Sequence, residues 1–369
     1  MHVPFCRSKC FYCGFYSVAS LRLKEAYLTA IEREIDLRWE YLLEREVETL
    51  YFGGGTPSCL EREDLSRILR KLEEYYVFVA GAERTIELNP EDLTEEKLLW
   101  MKELGFNRLS VGVQSFSDER LRQINRTHSA RQAIEGIVMA ADLGFDNISL
   151  DLIIGLPGQT ETELLDDVEK ANSLPISHLS VYMLSIDSNT VFEHLVKQGK
   201  FRLEDDEVMA ERYQQVCERL KELGFEHYEI SNFARNGKYS RHNTSYWQHK
   251  PYIGFGPSAH SYDLHSRQWN TANLKVYTEN LDKNRLVFER ETLSDMDLYN
   301  EYVMTNLRTM WGMDLQKLKC DYAVFWKQMQ GQIRKYLDSG DLVETEGKLR
   351  ISESGWVISD AILSDLFAV

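Results

Sequence analysis

Three cysteines stand close together near the start of the chain, at Cys6, Cys10 and Cys13. This Cys-x3-Cys-x2-Cys spacing brings three thiolates together only where the backbone wraps around a ligand. A structural zinc ion would require a fourth Cys or His within reach, but the next such residues are Cys59 and His128. A four-iron cluster held by three thiolates keeps one iron open for a small molecule. The spacing therefore favours a [4Fe-4S] cluster, with a three-cysteine zinc knuckle as the alternative.

A second group of residues suited to ligand binding follows the predicted strands, each at the point where a strand ends. They are Gly54, Gly55, Thr56, Glu87, Gln114 and Asp151. In α/β barrels the active site is built at the carboxyl ends of the strands. Each residue alone has a structural explanation, such as a tight turn, but several at the ends of successive strands indicate a ligand site on one rim.

The elements that would position these residues alternate between strand and helix periodicity, which is typical of a parallel α/β fold. Predicted strands cover 47–52, 85–88, 108–113, 148–154 and 179–184, and predicted helices cover 24–43, 61–75, 94–104, 129–143, 160–173 and 206–223. The phrase Leu-Gly-Phe ends three of the helices, at 104–106, 143–145 and 223–225. Glycine at such a place adopts the left-handed conformation that stops a helix. About six strand–helix units precede residue 225, fewer than the eight of a closed barrel. We therefore expect an α/β fold with a partial (β/α)6 barrel over residues 1–225.

The rest of the chain lacks this alternation. Residues 226–290 are expected to form an extension, with one more strand at 228–233 and then polar loops that contain His-Asn-Thr-Ser-Tyr-Trp at 242–247. Residues 291–369 are expected to form a small, mostly helical, winged-helix-like domain, with helices at 295–310 and 323–338 and a hairpin at 342–351. Residues 290–369 carry nine Lys and Arg against 13 Asp and Glu, whereas a DNA-reading domain is normally basic. A covering or docking role is therefore expected.

Composition limits the classes of function. The 369 residues are 43% hydrophobic, and no apolar run approaches the roughly 18 residues of a membrane span. The first residues do not follow the pattern of a signal peptide. Six cysteines, half of them clustered, indicate a reducing compartment. The net charge of −16 disfavours extended contact with nucleic acid. We therefore expect a cytoplasmic protein with no membrane span and no nucleic-acid partner.

The cysteine motif, with an aromatic residue before the last cysteine, resembles that of the radical S-adenosylmethionine (SAM) enzymes. The flanking His-Val-Pro-Phe-Cys at 2–6 and Gly-Gly-Gly-Thr-Pro at 53–57 are similar to those of the oxygen-independent coproporphyrinogen III oxidase-like group, and the similarity covers essentially the whole chain. It implies that Cys6, Cys10 and Cys13 hold a [4Fe-4S] cluster. It also implies that S-adenosyl-L-methionine is contacted by Tyr12 (mainly through its backbone), Gly54, Gly55, Thr56, Glu87, Gln114, Arg126 and Asp151. The side chains suit these roles, because a guanidinium binds a carboxylate and acids or amides bind ribose hydroxyls.

Two positions depart from the pattern of the group. The oxidases carry a further cysteine two positions after the third, where this chain has Phe15. The group also carries a tyrosine six residues before the first cysteine, a position that precedes Met1. Either the chain begins late or its first strand is truncated, and in both cases the printed residues do not supply this SAM contact.

Phe15 and the motif at 242–247 most resemble the heme chaperone branch of the group. That resemblance implies heme binding, with His242 as the residue to test first because imidazole is a common ligand of heme iron. It also implies transfer of heme to respiratory proteins, and an electron donor such as a flavodoxin or ferredoxin. The alternative is the oxidative decarboxylation of coproporphyrinogen III in porphyrin biosynthesis, which Phe15 disfavours, and a more distant one is a radical SAM methyltransferase. No residue is assigned to catalysis, and enzymatic activity is left open.

Overall fold

An eight-stranded sheet forms the centre of the computed structural model, which describes residues 1–369. Six parallel strands lie side by side in chain order: β1 His2–Val3, β2 Glu46–Gly54, β3 Val77–Leu88, β4 Arg108–Gln114, β5 Ile148–Ile154 and β6 His178–Met183. Two short antiparallel strands, β7 Glu226–Glu229 and β8 Asn232–Ala234, extend the sheet in the order β6-β8-β7. The six parallel strands confirm the predicted partial barrel.

Helices cover the outer face of these strands. They are α1 Lys24–Arg38, α2 Arg62–Glu73, α3 Glu95–Glu103, α4 Asp118–Gln123, α5 Ala130–Asp142, α6 Glu161–Ser173, α7 Val191–Lys197 and α8 Asp206–Glu222. The predicted glycine stops are present, since Gly105, Gly144 and Gly224 have φ angles of 85°, 88° and 83°. The chain therefore returns from helix to strand at the three places that the Leu-Gly-Phe phrases indicate.

Strand β4 shows how the sheet separates the core from the barrel interior. Its apolar residues Leu109, Val111 and Val113 are fully buried in the main hydrophobic core. The alternate residues face a cavity inside the barrel: Arg108, Ser110, Gly112 and Gln114. Because successive side chains of a strand point to opposite faces, the same strand supplies both packing and a polar interior.

The third strand is longer than predicted. It begins at Val77 rather than at residue 85 because its first residues pair with the start of β2, Glu46 with Val77 and Val47 with Phe78. The pairing shifts register just after Val47, close to Gly81 with φ of 73°. These first residues form an apolar run at 77–80, which is itself a strand signal, but they are largely exposed or half-buried and so add little to the core.

The region after α8 differs from the prediction. The expected single strand at 228–233 is split into β7 and β8, which pair antiparallel on either side of a turn. The expected polar loops contain a helix, α9 Arg241–Trp247, a second helix, α10 Leu274–Leu281, and a three-stranded sheet of β9 His260–Tyr262, β10 Ser266–Asn270 and β11 Phe288–Thr292. The Glu83 carboxylate accepts the backbone N–H groups of Arg241 (3.0 Å) and His242 (2.9 Å). A carboxylate from a distant strand thus stabilises the start of α9.

The C-terminal part combines helices with a small sheet. Its helices are α11 Asp295–Leu307, α12 Leu315–Asp321, α13 Ala323–Ser339 and α14 Ser359–Leu366, and its strands are β12 Met313–Asp314, β13 Leu342–Thr345 and β14 Lys348–Ile351 in the order β12-β14-β13. Helices followed by a hairpin agree with the winged-helix-like pattern. None of the helices combines the length and apolar character that crossing a membrane requires.

Candidate cofactor and ligand site

A cavity of about 600 Å³ lies inside the barrel, between the strand ends and the cysteine segment. All the residues predicted for the cluster, SAM or heme line it: Cys6, Cys10, Tyr12, Cys13, Gly54, Gly55, Thr56, Glu87, Gln114, Arg126, Asp151 and His242. Residues that lie up to 236 positions apart in the sequence therefore share one site.

The three cysteines lie on a loop that is closed at its base. The backbone N–H of Val18 donates to the carbonyl of Pro4 (2.7 Å), and the N–H of Cys6 donates to the carbonyl of Val18 (3.1 Å). Within the loop the N–H of Cys13 donates to the carbonyl of Cys10 (3.2 Å). These bonds hold the loop as a rim over the cavity.

The surroundings of the thiols fit a cluster. All three are half-buried and none forms a disulfide. The Thr56 hydroxyl donates to the Cys6 sulfur and the Arg126 guanidinium donates to the Cys10 sulfur, each at 3.5 Å. Burial raises the pKa of the Cys13 thiol. The thiols are not gathered around one point as ligands of a single ion would be. Hydrogen bonds to the sulfurs are among the interactions that tune an iron–sulfur cluster.

Glycine is required beside this loop for a reason that differs from the expected contact with a ligand. A Cβ atom added at Gly55 would lie 2.6 Å from the carbonyl oxygen of Phe5, and one added at Gly54 would lie 2.5 Å from the His2 ring. The backbone N–H of Gly55, just after β2, also donates to the carbonyl of Val3, the last residue of β1 before the loop (2.8 Å). The two glycines therefore let the cysteine loop lie directly against the second strand.

Arg126 joins the cysteine loop to the end of β4. Besides its bond to Cys10, its guanidinium donates to the carbonyl of Gly112, and its Nε has no partner. The neighbouring Gln114 is a buried, non-glycine residue with φ of 70°. Such a conformation costs of order 1–3 kcal/mol and is concentrated at functional sites. The strand therefore ends in a strained residue that faces the cavity beside a free guanidinium donor.

Two carboxyl groups face the cavity from neighbouring parts of the sheet. Burial raises the pKa of Glu87 to about 7, although the Tyr51 hydroxyl donates to its Oε1 at 2.7 Å. Burial also raises the pKa of Asp151 to about 6. Raised pKa values in a cleft are typical of groups that bind or react with a ligand. At neutral pH Glu87 can therefore both accept and donate a hydrogen bond to a ligand.

His242 stands in the cavity wall with both ring nitrogens occupied. Its Nδ1 lies 2.7 Å from the Thr49 hydroxyl and its Nε2 lies 2.8 Å from the Tyr246 hydroxyl. The ring also stacks on Tyr51, with centroids 4.9 Å apart. Burial, and the nearby Arg108 charge, lower its pKa to about 3, so the imidazole is neutral. It can bind heme iron through Nε2 only by releasing Tyr246.

The other aromatic residues of the motif at 242–247, and the later His260, differ in whether they line the cavity. Tyr246 lines the cavity, whereas Trp247 does not. His260 also lies outside the cavity lining and stacks on Trp269, with ring centroids 6.1 Å apart. Of the four residues His242, Tyr246, Trp247 and His260, only His242 and Tyr246 thus line the cavity.

Several polar residues of the cavity were not found from the sequence. They are Tyr51, Arg108, Ser110, His178, Ser180, Asn232 and Asn243. The available signal was the alternation within β4, where every second residue is polar or glycine, and its continuation in β5 and β6. Each strand there was identified, but its inward-facing residues were not counted as part of the site.

A partial barrel of six parallel strands, with a three-cysteine loop over its cavity, defines a radical SAM protein. Residues 1–171 match the Radical SAM superfamily model. The heme chaperone HemW of Bacillus subtilis (strain 168) is 39% identical over 282 residues, which cover 76% of this chain and 74% of that protein. HemW of Lactococcus lactis subsp. lactis (strain IL1403) is 31% identical, covering 98% and 94%. The structure of the radical SAM enzyme coproporphyrinogen III oxidase (HemN) from Escherichia coli superposes with a TM-score of 0.85 at 25% identity, over 100% of this chain and 89% of that one. The chain belongs to the HemN/HemW-like family of the radical SAM superfamily.

Proposed function

We propose that this chain is a heme chaperone-like protein that holds a [4Fe-4S] cluster and SAM, binds heme, and passes the heme to respiratory proteins. Membership in the radical SAM superfamily implies the cluster and SAM. Heme is supported by the relatives named heme chaperones. A reducing cytoplasm is the location that the cysteine usage favours, and a flavodoxin or ferredoxin is the class of electron donor that suits an iron–sulfur site.

Phe15 carries this proposal. It occupies the position at which the oxidases have a further cysteine, and its side chain is 70% exposed at the rim of the cavity. Tyr182 and Met183 line the same cavity and are 45% and 48% exposed. Large apolar side chains exposed together mark a binding surface. The flat rings of Phe15 and Tyr182 and the flexible side chain of Met183 suit contact with a porphyrin ring.

The residues around the cysteines suit the SAM end of the cavity. When bound, the cluster would supply an electron and an open coordination position for SAM. Arg126 is placed to hold a carboxylate, because its guanidinium lies between the loop and β4 with one donor unpartnered. Glu87 and Asp151 provide acceptors for hydroxyl groups further along the strand ends.

A heme titration tests the proposal. Anaerobically reconstituted protein should shift the Soret band of added hemin and saturate near one heme per chain. Phe15→Ala should weaken hemin binding, because it removes apolar surface from the rim, while the iron–sulfur absorption stays unchanged. Leu43→Ala, at a fully exposed apolar position outside the cavity lining, is the control. Absence of saturable hemin binding would refute the proposal.

The second candidate is oxygen-independent coproporphyrinogen III oxidase, which the full-length structural match to the HemN enzyme favours. The two functions separate in one assay. Reconstituted protein with SAM, a reductant and coproporphyrinogen III should release no protoporphyrinogen IX, since the extra cysteine is replaced by Phe15. Turnover at ~1 per second or faster, a rate usual for enzymes, would establish the oxidase instead.

A further inference from the structure

Arg108 has no partner within the protein. It is the first residue of β4, is only 2% exposed, and lines the cavity. Its guanidinium forms no hydrogen bond and no ion pair within 4 Å. The buried Nε of Arg108 lacks a partner, and so does the buried Oγ1 of Thr85 beside it. Thr85 is its register neighbour on β3. Buried charges are normally paired, because removing a charge from water is costly. An unpaired guanidinium in a cavity wall therefore indicates a missing anionic group.

The position of Arg108 is separate from the end of the cavity assigned to SAM. Arg126 contacts Gly112, which lies four residues after Arg108 on the same strand. At about 3.3 Å per residue this spacing is roughly 13 Å. The two arginines therefore face the same cavity at different depths, one beside the cysteine loop and one at the inner end.

Other groups near Arg108 do not neutralise it. The carboxyl groups of Asp151 and Glu87 face the same cavity but lie beyond ion-pair distance of Arg108. The Arg108 charge acts on Asp151 only from that longer range, where it lowers the Asp151 pKa. His178 is engaged on both ring nitrogens, by Ser149 (2.7 Å) and Tyr228 (2.8 Å). The donors of Arg108 thus remain available to a ligand.

We propose that Arg108 binds a carboxylate of the ligand that occupies the inner end of the cavity, forming a second carboxylate subsite roughly 13 Å along β4 from that of Arg126. A planar guanidinium pairs with a carboxylate through two parallel hydrogen bonds. The identification of the ligand rests on the proposed function, since heme carries two propionate side chains that end in carboxylates.

A small probe tests the subsite without heme. Thermal unfolding is followed in sodium propionate and in propionamide, its neutral counterpart, at constant ionic strength. At about ten times its Kd, propionate should raise the Tm of the wild type by roughly 1–3 °C, while propionamide should not. Arg108→Gln should lose this response. Arg241→Gln, which removes an exposed arginine from α9 outside the cavity lining, should keep it.

Hemin and hemin dimethyl ester provide the second arm. A charge-assisted hydrogen bond corresponds to about 10- to 100-fold in affinity, so the wild type should bind hemin more tightly than the ester by that factor. In Arg108→Gln the ratio should approach one. If Arg108→Gln does not fold, Arg108→Lys keeps the charge without the planar pair of donors, and its response to propionate should be reduced.

The outcomes are distinguishable. An equal propionate response in the wild type and Arg108→Gln, or no preference for propionate over propionamide, would overturn the subsite and leave Arg108 as a distant counter-charge to Asp151. A propionate response that depends on Arg108, in a protein that binds neither hemin nor its ester, would refute the heme function and retain the subsite.

Discussion

Glu87 should make the free protein less stable as pH rises, and Glu87→Gln should remove this effect. The pKa of Glu87 is raised from 4.5 to about 7 because the carboxyl is buried in the cavity wall. In the unfolded chain the carboxyl ionises near its ordinary value, so between pH 4.5 and 7 the folded state binds more protons than the unfolded one. Stability therefore falls with rising pH through this interval and levels off above pH 7.

The size of the effect follows from the shift. About 2.5 pKa units at 1.36 kcal/mol each correspond to about 3 kcal/mol. The free energy of unfolding of Glu87→Gln minus that of the wild type should therefore rise by up to about 3 kcal/mol between pH 4.5 and pH 7.5. Because the comparison is between pH values, the constant cost of exchanging the side chain cancels.

Urea unfolding of the cluster-free protein, at half-unit steps of pH, measures this difference. Glu344→Gln is the control, because it removes a carboxyl group that is exposed on β13 and forms no ion pair. Tyr51→Phe removes the 2.7 Å bond that favours the ionised carboxylate, and should extend the upper end of the interval to higher pH while its lower end stays near pH 4.5. A Glu87→Gln difference that is flat across pH would show that the carboxyl is not withdrawn from water, and would refute the reasoning.

Three further predictions concern the cofactor and ligand residues. Alanine at any one of the three loop cysteines should abolish the iron–sulfur absorption of the reconstituted protein, whereas Cys59→Ala should retain it; a requirement for Cys59 would contradict the three-ligand cluster. Arg126→Gln should weaken SAM binding by about 10- to 100-fold, the value of a lost charge-assisted hydrogen bond, as measured by calorimetry, and unchanged affinity would remove Arg126 from the SAM site. His242→Ala should weaken hemin binding, since it releases Tyr246 and removes the ring that stacks on Tyr51. His260→Ala should not weaken it, because His260 lies outside the cavity lining. Equal Soret titrations of the two variants would place heme elsewhere.

The parts of the fold that local sequence determines were predictable. The strand Ile148–Ile154 has the bounds expected from its apolar run, and the three Leu-Gly-Phe phrases end helices as expected. Helix α9 was not predicted, although Ser240 caps it locally by accepting the N–H of Asn243 (3.2 Å), because its first two N–H groups are bound by Glu83, a residue more than 150 positions earlier. Only the folded partial barrel brings that carboxylate to the helix.

The site shows the same division. Residues at the carboxyl ends of strands were identified because parallel strands end at one rim. Arg108 was missed because it begins its strand, where an arginine is normally read as exposed. Whether such a side chain points to solvent or into the barrel depends on the curvature of the sheet and on what closes its inner end, and neither is encoded in the residues next to it.

The continuous cavity from the cysteine loop to Arg108 has a thermodynamic consequence. A ligand at the inner end shares its walls with SAM, since β4 and β6 each line the cavity along their length, from Arg108 to Gln114 and from His178 to Met183. By thermodynamic linkage, the factor by which one ligand changes the affinity of the other is the same in both directions. A measurement of SAM affinity with and without heme therefore also gives the change in heme affinity caused by SAM. If this factor differs greatly from one, the binding of SAM would regulate whether heme is held or released.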